Sequence, residues 1–175
     1  MSILDEKRIA ILVEEEFEDS QLVEPMRAMK NAWAKVVIVG SCSHEIYKGK
    51  RSKATVIADA TASEINAENF DAIIVPGGDA ADKMRLHQSM IDLVRKAYDL
   101  GKVVAAIGHG PRLLISAEIV KGHRVTSCPS VASDLRNAGA DWVDTPVAQD
   151  GRLITSRKAA DLPRFNKAII EALRD

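Results

Sequence analysis

The chain has 175 residues, a mass of 19.0 kDa and a formal net charge of -1, and 46% of its residues are hydrophobic. This length and apolar content predict a single globular domain over residues 1–175. Basic and acidic side chains are interspersed, which argues against a nucleic-acid or anionic-membrane partner. The sequence has no apolar run of a membrane span and no signal-peptide pattern, so we expect a cytoplasmic protein.

The cysteine content is low. Cys42 and Cys128 make no disulfide framework, and their spacing fits no zinc motif. We therefore expect two reduced thiols, no metal site and no organic cofactor.

Taken in chain order, four apolar runs predict buried strands, at residues 8–13, 35–39, 72–75 and 102–107. Helical patterns lie between them, and one has apolar residues at spacings of three and four from Met90 to Leu100. Strands that alternate with helices predict an α/β fold, a doubly wound and mostly parallel sheet with helices on both faces. Ligands of such sheets bind beyond the carboxyl ends of the strands.

The C-terminal part of the chain contains a turn and a helix. Residues 149–152 predict a hairpin turn. The last helix follows Asp161, which we expect to cap it. Its predicted buried face consists of Leu162, Phe165, Ile169 and Leu173.

The most informative segment is Val103–Leu114, which has the form of a strand, a sharp turn and a helix start. This is the shape of a nucleophile elbow, in which the turn residue points its side chain into a pocket. Here the turn residue is Gly108, which has no side chain, and His109 follows it.

This segment resembles the elbow of the ThiJ/PfpI superfamily, whose members carry a cysteine followed by His-Gly-Pro. The resemblance extends from Arg8 to about Leu173 and is strongest to PfpI-type intracellular proteases and bacterial stress proteins. It implies a flavodoxin-like, class I glutamine-amidotransferase-like fold, with Gly108 at the position of the nucleophile. Further matching segments are residues 113–117, 137–144 and 154–157.

The resemblance also implies roles for other residues. Glu18 matches a glutamate that reaches the elbow thiol, and the amides of Gly78 and His109 match an oxyanion hole. The histidine itself matches the family's catalytic partner. Asp82 stands where relatives have a glutamate that reaches the histidine of a neighbouring subunit, which implies a homo-oligomer, either a dimer or a higher ring. Without the resemblance, the acidic residues would be interpreted as surface charges.

Two departures from the family pattern stand out. Trp33 occupies a helix end where relatives have glycine, so we expect Asn31 to adopt the left-handed conformation there. Cys128 replaces a tyrosine and is expected on the rim of the same pocket, where it is a candidate substitute nucleophile. The other histidines, His44, His87 and His123, have no partner at useful spacing in the sequence.

Two functional hypotheses remain open. One is a cysteine-dependent hydrolase or a glyoxalase- or deglycase-like enzyme for peptides or methylglyoxal adducts. Such an enzyme is inactive here for lack of the thiol, or it uses a water activated by Glu18 and His109. The other is a natural pseudoenzyme that binds a small ligand or serves as a stress-related interaction oligomer. Retention of Gly78, Glu18, His109 and a carboxylate at Asp82 points to a recent or artificial loss. An amidotransferase subunit is less favoured, because the histidine is adjacent to the elbow.

Overall fold

A central parallel sheet organises the chain. The computed structural model describes residues 3–42 and 44–174. The strands are β1 (Arg8–Leu12), β2 (Lys35–Gly40), β3 (Ile46–Lys48), β4 (Thr55–Ile57), β5 (Ala60–Thr61), β6 (Ala72–Val75), β7 (Val103–Ile107), β8 (Arg124–Val125), β9 (Asp141–Trp142), β10 (Val147–Asp150) and β11 (Leu153–Ser156). The α-helices are α1 (Asp19–Asn31), α2 (Ala80–Met84), α3 (Gln88–Asp99), α4 (Pro111–Ser116), α5 (Ala132–Asn137) and α6 (Leu162–Arg174).

Among the described residues, seven strands form the main sheet in the order β10-β11-β7-β6-β1-β2-β5. All neighbours are parallel except β10 and β11, which form the predicted antiparallel hairpin. The chain moves from β1 towards one edge and from β6 towards the other. Because such crossovers are right-handed, α1 and α3 lie on opposite faces of the sheet. The predicted doubly wound sheet is confirmed, and its switch point lies between β1 and β6.

The four predicted core strands are present, but β2 is buried only over its last three residues. Every residue of β6 and β7 is buried, as continuous apolar runs predict for strands covered on both faces. In α3 the predicted apolar face is buried from Met90 to Ala97, but Leu100 lies beyond the helix and is 43% exposed. The apolar pattern in the sequence therefore continues one residue beyond the C-terminal end of α3.

The end of α1 differs from the sequence prediction. Trp33 itself adopts the left-handed conformation, with φ of 74°, and Asn31 is the last helical residue. The N–H of Trp33 donates to Lys30 O and that of Ala34 donates to Met29 O, which is the Schellman pattern. These hydrogen bonds require the left-handed conformation at residue 33, not at Asn31. The Trp33 side chain is 69% exposed.

The last helix buries the predicted face of Leu162, Phe165, Ile169 and Leu173. Asp161 lies in a short 3-10 turn before it, and its carboxylate binds the guanidinium of Arg157 at 2.9 and 3.1 Å. The expected capping role is therefore replaced by an ion pair with Arg157.

Two findings concern the described ranges only. No group of three His, Cys, Asp or Glu side chains is arranged to hold a metal ion within residues 3–42 and 44–174. None of the helices described there is long and apolar enough to cross a membrane.

Candidate active site

The elbow is a sharp turn between β7 and α4, as the sequence predicts. Strand β7 ends at Ile107, and Gly108 has φ of 65°, a conformation that residues with a side chain rarely adopt. The N–H of Gly108 donates to Ser156 O, and its carbonyl accepts from the N–H of Cys128, both at 3.1 Å. These backbone bonds fix the turn without any contribution from a side chain at residue 108.

The space beside Gly108 is occupied by Gln21, a residue that the sequence analysis missed. Gln21 lies on α1 and is buried, and its Oε1 accepts a hydrogen bond from the N–H of Gly77 at 3.0 Å. A Cβ atom added at Gly108 would lie 2.8 Å from Oε1 and 3.0 Å from Nε2 of Gln21. One signal could have revealed it, because residue 21 follows Glu18 by three positions and so shares its side of α1.

Glu18 lies at the start of α1, and its carboxylate forms an ion pair with Arg51. Its carboxylate accepts from Nε of Arg51 at 2.5 Å, and this ion pair raises the pKa of the arginine. The neighbouring Asp19 accepts from the backbone N–H groups of Arg51, Lys53 and Ala54 at 2.8 to 3.0 Å. The carboxylate that the resemblance assigned to the elbow is thus paired with the loop after β3, and Gln21 is nearest to residue 108.

The two amides of the predicted oxyanion hole lie on adjacent turns. Gly78 has φ of 86°, and a Cβ there would approach the backbone of Glu18 to 2.5 Å, so only glycine fits. The N–H of His109 lies on the other side, 3.0 Å from the position of a Cβ on Gly77. In the part of the chain that the structure describes, neither the Gly78 nor the His109 N–H has an intramolecular acceptor. Both are available to a ligand oxygen.

His109 is half-buried at the mouth of the turn. Its Nε2 lies 3.3 Å from the hydroxyl of Ser130. Burial lowers the pKa of His109, the positive charge of Arg112 lowers it further, and Asp82 acts in the opposite direction. The imidazole is therefore neutral near pH 7 and can accept a proton.

Asp82 is paired within its own chain. Its carboxylate binds Nη1 of Arg112 at 2.8 Å and lies 3.7 Å from Nη1 of Arg85. The contact of Asp82 with a second subunit stays a prediction, and in that assembly the carboxylate would also have to satisfy Arg112.

Cys128 lies beside the elbow, on the loop after β8. Its N–H donates to Gly108 O, and its Sγ is 3.4 Å from Ser130 Oγ. Ser130 in turn contacts His109, so the three side chains form a series. The structure thus brings Gly78, His109 and Cys128 to the elbow, while Glu18 and Asp82 lie nearby in ion pairs.

The remaining histidines have partners that the sequence did not reveal. His123 Nε2 is 2.6 Å from the hydroxyl of Tyr98, and its Nδ1 is 3.1 Å from Asp150. His87 lies 3.7 Å from the buried carboxylate of Glu14, and His44 packs edge-on against Tyr47. The partners of His87 and His123 come from distant segments, so sequence spacing could not reveal them, whereas the partner of His44 is only three residues away.

Sequence comparison identifies the family. The DJ-1/PfpI family profile matches residues 7–172. The chain belongs to the DJ-1/PfpI family. A relative from Escherichia coli, named protein/nucleic acid deglycase 2, is 38% identical over 169 residues, which cover 96% of each chain. General stress protein 18 of Bacillus subtilis is 37% identical over 169 residues, 95% of this chain and 98% of the relative.

A solved structure gives the same result for the fold. A two-domain protein from Anabaena variabilis, with DJ-1/ThiJ/PfpI-like and ferritin-like domains, superposes with a TM-score of 0.94 and 42% identity. The superposition covers 95% of this chain but 48% of that protein. The resemblance stated from the sequence and the predicted fold are thus confirmed.

Proposed function

We propose that this DJ-1/PfpI-family protein binds small carbonyl or carboxylate compounds at the elbow and lacks the family's covalent chemistry at residue 108. The observation that carries the proposal is the pair of free amides at Gly78 and His109 beside a turn residue without a side chain. An oxyanion or a polarised carbonyl oxygen is the ligand that two such donors favour. Without a side chain, residue 108 cannot form a thiohemiacetal or a thioester.

The charges around the elbow support this proposal. Arg112 and Lys50 each act on His109 as nearby positive charges, while Asp82 and Asp79 oppose them. Lys50 lies 3.7 Å from Asp79, and Arg112 is bound to Asp82. The positive and negative charges near the elbow therefore balance. The N–H groups of Gly78 and His109 would orient a bound small anion.

The test uses amide resonances of the ¹⁵N-labelled protein titrated with acetate and pyruvate. We expect saturable shifts of the Gly78 and His109 resonances, with little change at Gly122, a glycine in an open turn away from the elbow. A titration that moves neither elbow amide would overturn the proposal.

A second measurement addresses turnover. The wild-type protein and its Gly108→Cys variant are compared in methylglyoxal consumption and in cleavage of fluorogenic peptides. We expect turnover by the variant and little by the wild type, since the family relatives include named deglycases. Equal, robust turnover by both proteins would contradict the loss of activity.

We further propose that the protein assembles as a homo-oligomer, a dimer or a higher ring. An apolar surface on the β3–β4 hairpin supports this: Ile46 and Ile57 are direct cross-strand partners and are 56% and 67% exposed. Light scattering measures the assembly, and an Ile57→Lys variant should shift it towards the monomer. A wild-type protein that is monomeric at micromolar concentration would contradict it.

A further inference from the structure

Three side chains form a polar series along the rim of the elbow. The Sγ atom of Cys128 is 3.4 Å from Ser130 Oγ, and that hydroxyl is 3.3 Å from Nε2 of His109. The thiol and the imidazole are half-buried, and the serine between them is exposed. A thiol, a hydroxyl and an imidazole in this order can pass a proton from sulfur to nitrogen.

The loop that carries Cys128 is held from several sides. The N–H of Thr126 donates to the hydroxyl of Thr155 at 2.9 Å, and the Ser127 hydroxyl accepts from Nε1 of Trp142 at 3.0 Å. The N–H of Cys128 is bound to Gly108 O. The cysteine is therefore fixed directly beside the residue where the family's nucleophile would stand.

We propose that Cys128 is the nucleophile of this pocket and adds reversibly to the aldehyde carbon of a bound 2-oxoaldehyde. The inference rests on the proposed function, because the same two amides would hold the carbonyl oxygen. It places the reactive sulfur on the neighbouring loop instead of on the elbow.

The step needs no oxidant and no second substrate. The Sγ–C bond forms as the π bond of the aldehyde breaks, and its electron pair moves onto the oxygen. The thiol proton leaves through Ser130 to His109 and is returned to that oxygen, so the product is a neutral hemithioacetal. The amides of Gly78 and His109 stabilise the oxygen while its negative charge develops.

The neutral state of His109 fits its part in this relay. Burial and Arg112 keep the pKa of the imidazole below its ordinary value, so an acceptor is present near pH 7. Ser130 and His109 act here as positioning and proton-relay residues, while the sulfur forms the bond.

The experiment removes the second thiol first. Cys42 is exposed and has φ of 81°, so Cys42→Asn is the background of choice, because asparagine tolerates that conformation. The full-length background protein is mixed with ¹³C-labelled methylglyoxal, and the hemithioacetal carbon is followed by NMR. We expect one adduct per chain, absent after Cys128→Ser.

The relay has a readout of its own. In Ser130→Ala the rates of adduct formation and breakdown should both fall by about tenfold or more, while the equilibrium fraction of adduct stays unchanged. A merely structural role of the hydroxyl would change that fraction or leave the rates alone. Thermal unfolding of each variant confirms that it is folded.

Three outcomes overturn the inference. They are no adduct in the background protein, an adduct that persists after Cys128→Ser, and rates that Ser130→Ala leaves unchanged. Failure of the proposed function is distinguishable, because acetate titration of the Cys128→Ser protein reports on the Gly78 and His109 amides without the thiol. Amide shifts with no adduct would reject the nucleophile and leave the binding site intact.

Discussion

The Oε1 atom of Gln21 lies 2.8 Å from the position that a Cβ atom at residue 108 would take. Any side chain at this position must displace the amide, which also accepts from the N–H of Gly77. The Gln21 side chain of α1 thus occupies the space that a side chain at residue 108 would take. A cysteine placed at residue 108 therefore requires the terminal amide of the flexible Gln21 side chain to shift.

The first prediction concerns the stability cost of a side chain at Gly108. Gly108→Ala should lower the free energy of unfolding by about 2–3 kcal/mol, from the left-handed φ and from contact with Gln21. Gly151→Ala is the matched control, because Gly151 has φ of 60° and open space around it. It should lose about 1 kcal/mol from backbone strain alone. Urea unfolding measures both variants.

The contact with Gln21 is separated by a double-mutant cycle. Gly108→Ala in a Gln21→Ala background should cost less than in the wild type, since the crowding atom is gone. If the two glycine variants lose the same stability and the cycle shows no coupling, Gln21 does not crowd residue 108.

The second prediction concerns the strained end of α1. Trp33→Gly should stabilise the protein by about 1 kcal/mol, because glycine adopts φ of 74° without the steric cost of a side chain. Trp33→Ala keeps that cost and should show no comparable gain. Equal gains in thermal unfolding would instead assign the effect to loss of the exposed indole.

The third prediction concerns the Arg112 charge, which adds to burial in lowering the pKa of His109. Arg112→Gln should raise the pKa of His109, because it removes a positive charge that lowers this pKa and leaves Asp82 with Arg85 as its remaining cationic partner. The imidazole resonance in a pH titration by NMR measures the change. Lys167→Gln on α6 is the control, since Lys167 is paired with Glu171 and is not among the charges that act on His109. A lowered or unchanged pKa in Arg112→Gln would contradict this electrostatic assignment.

The fourth prediction concerns acid stability. Burial alone would raise the pKa of Asp19, but the N–H donors of Arg51, Ala54 and Lys53 outweigh it and lower the pKa. A carboxylate with a depressed native pKa stabilises the fold above its unfolded pKa, and that contribution is lost as the pH falls through the native pKa.

Asp19→Asn should therefore cost about 1–3 kcal/mol at pH 7 and progressively less towards acid pH, where the wild-type carboxylate is protonated too. Chemical unfolding at a series of pH values measures the difference. Glu171→Gln, an exposed substitution on α6, should change stability little at any pH. A cost for Asp19→Asn that is independent of pH would show that the charge is unimportant.

Sequence patterns predicted the strands and helices whose burial follows a regular spacing of apolar residues. The runs at β1, β6 and β7 are continuously apolar because those strands are covered on both faces. The short β3–β4 hairpin was missed, since three-residue strands with exposed Ile46 and Ile57 carry no clear alternation.

The site was predicted less completely for a different reason. The elbow lies in one contiguous motif, so the sequence predicted its turn, while the role of the two amides came from the family resemblance. The partners Arg51, Gln21 and Ser130 reach their targets through long-range contacts, such as the 33 residues that separate Glu18 from Arg51. No local pattern encodes which of several polar side chains fills a space that the fold creates.

The peptide groups of Gly108 are both engaged, one by Ser156 and one by Cys128. Since the surrounding backbone maintains the bend, selection can act on the residue at its apex without disturbing its form. In evolutionary terms, the side chain at residue 108 can change while the backbone conformation of the elbow is kept. A lineage of such proteins can abandon, restore or relocate its chemistry by changing a few side chains on one unchanged frame.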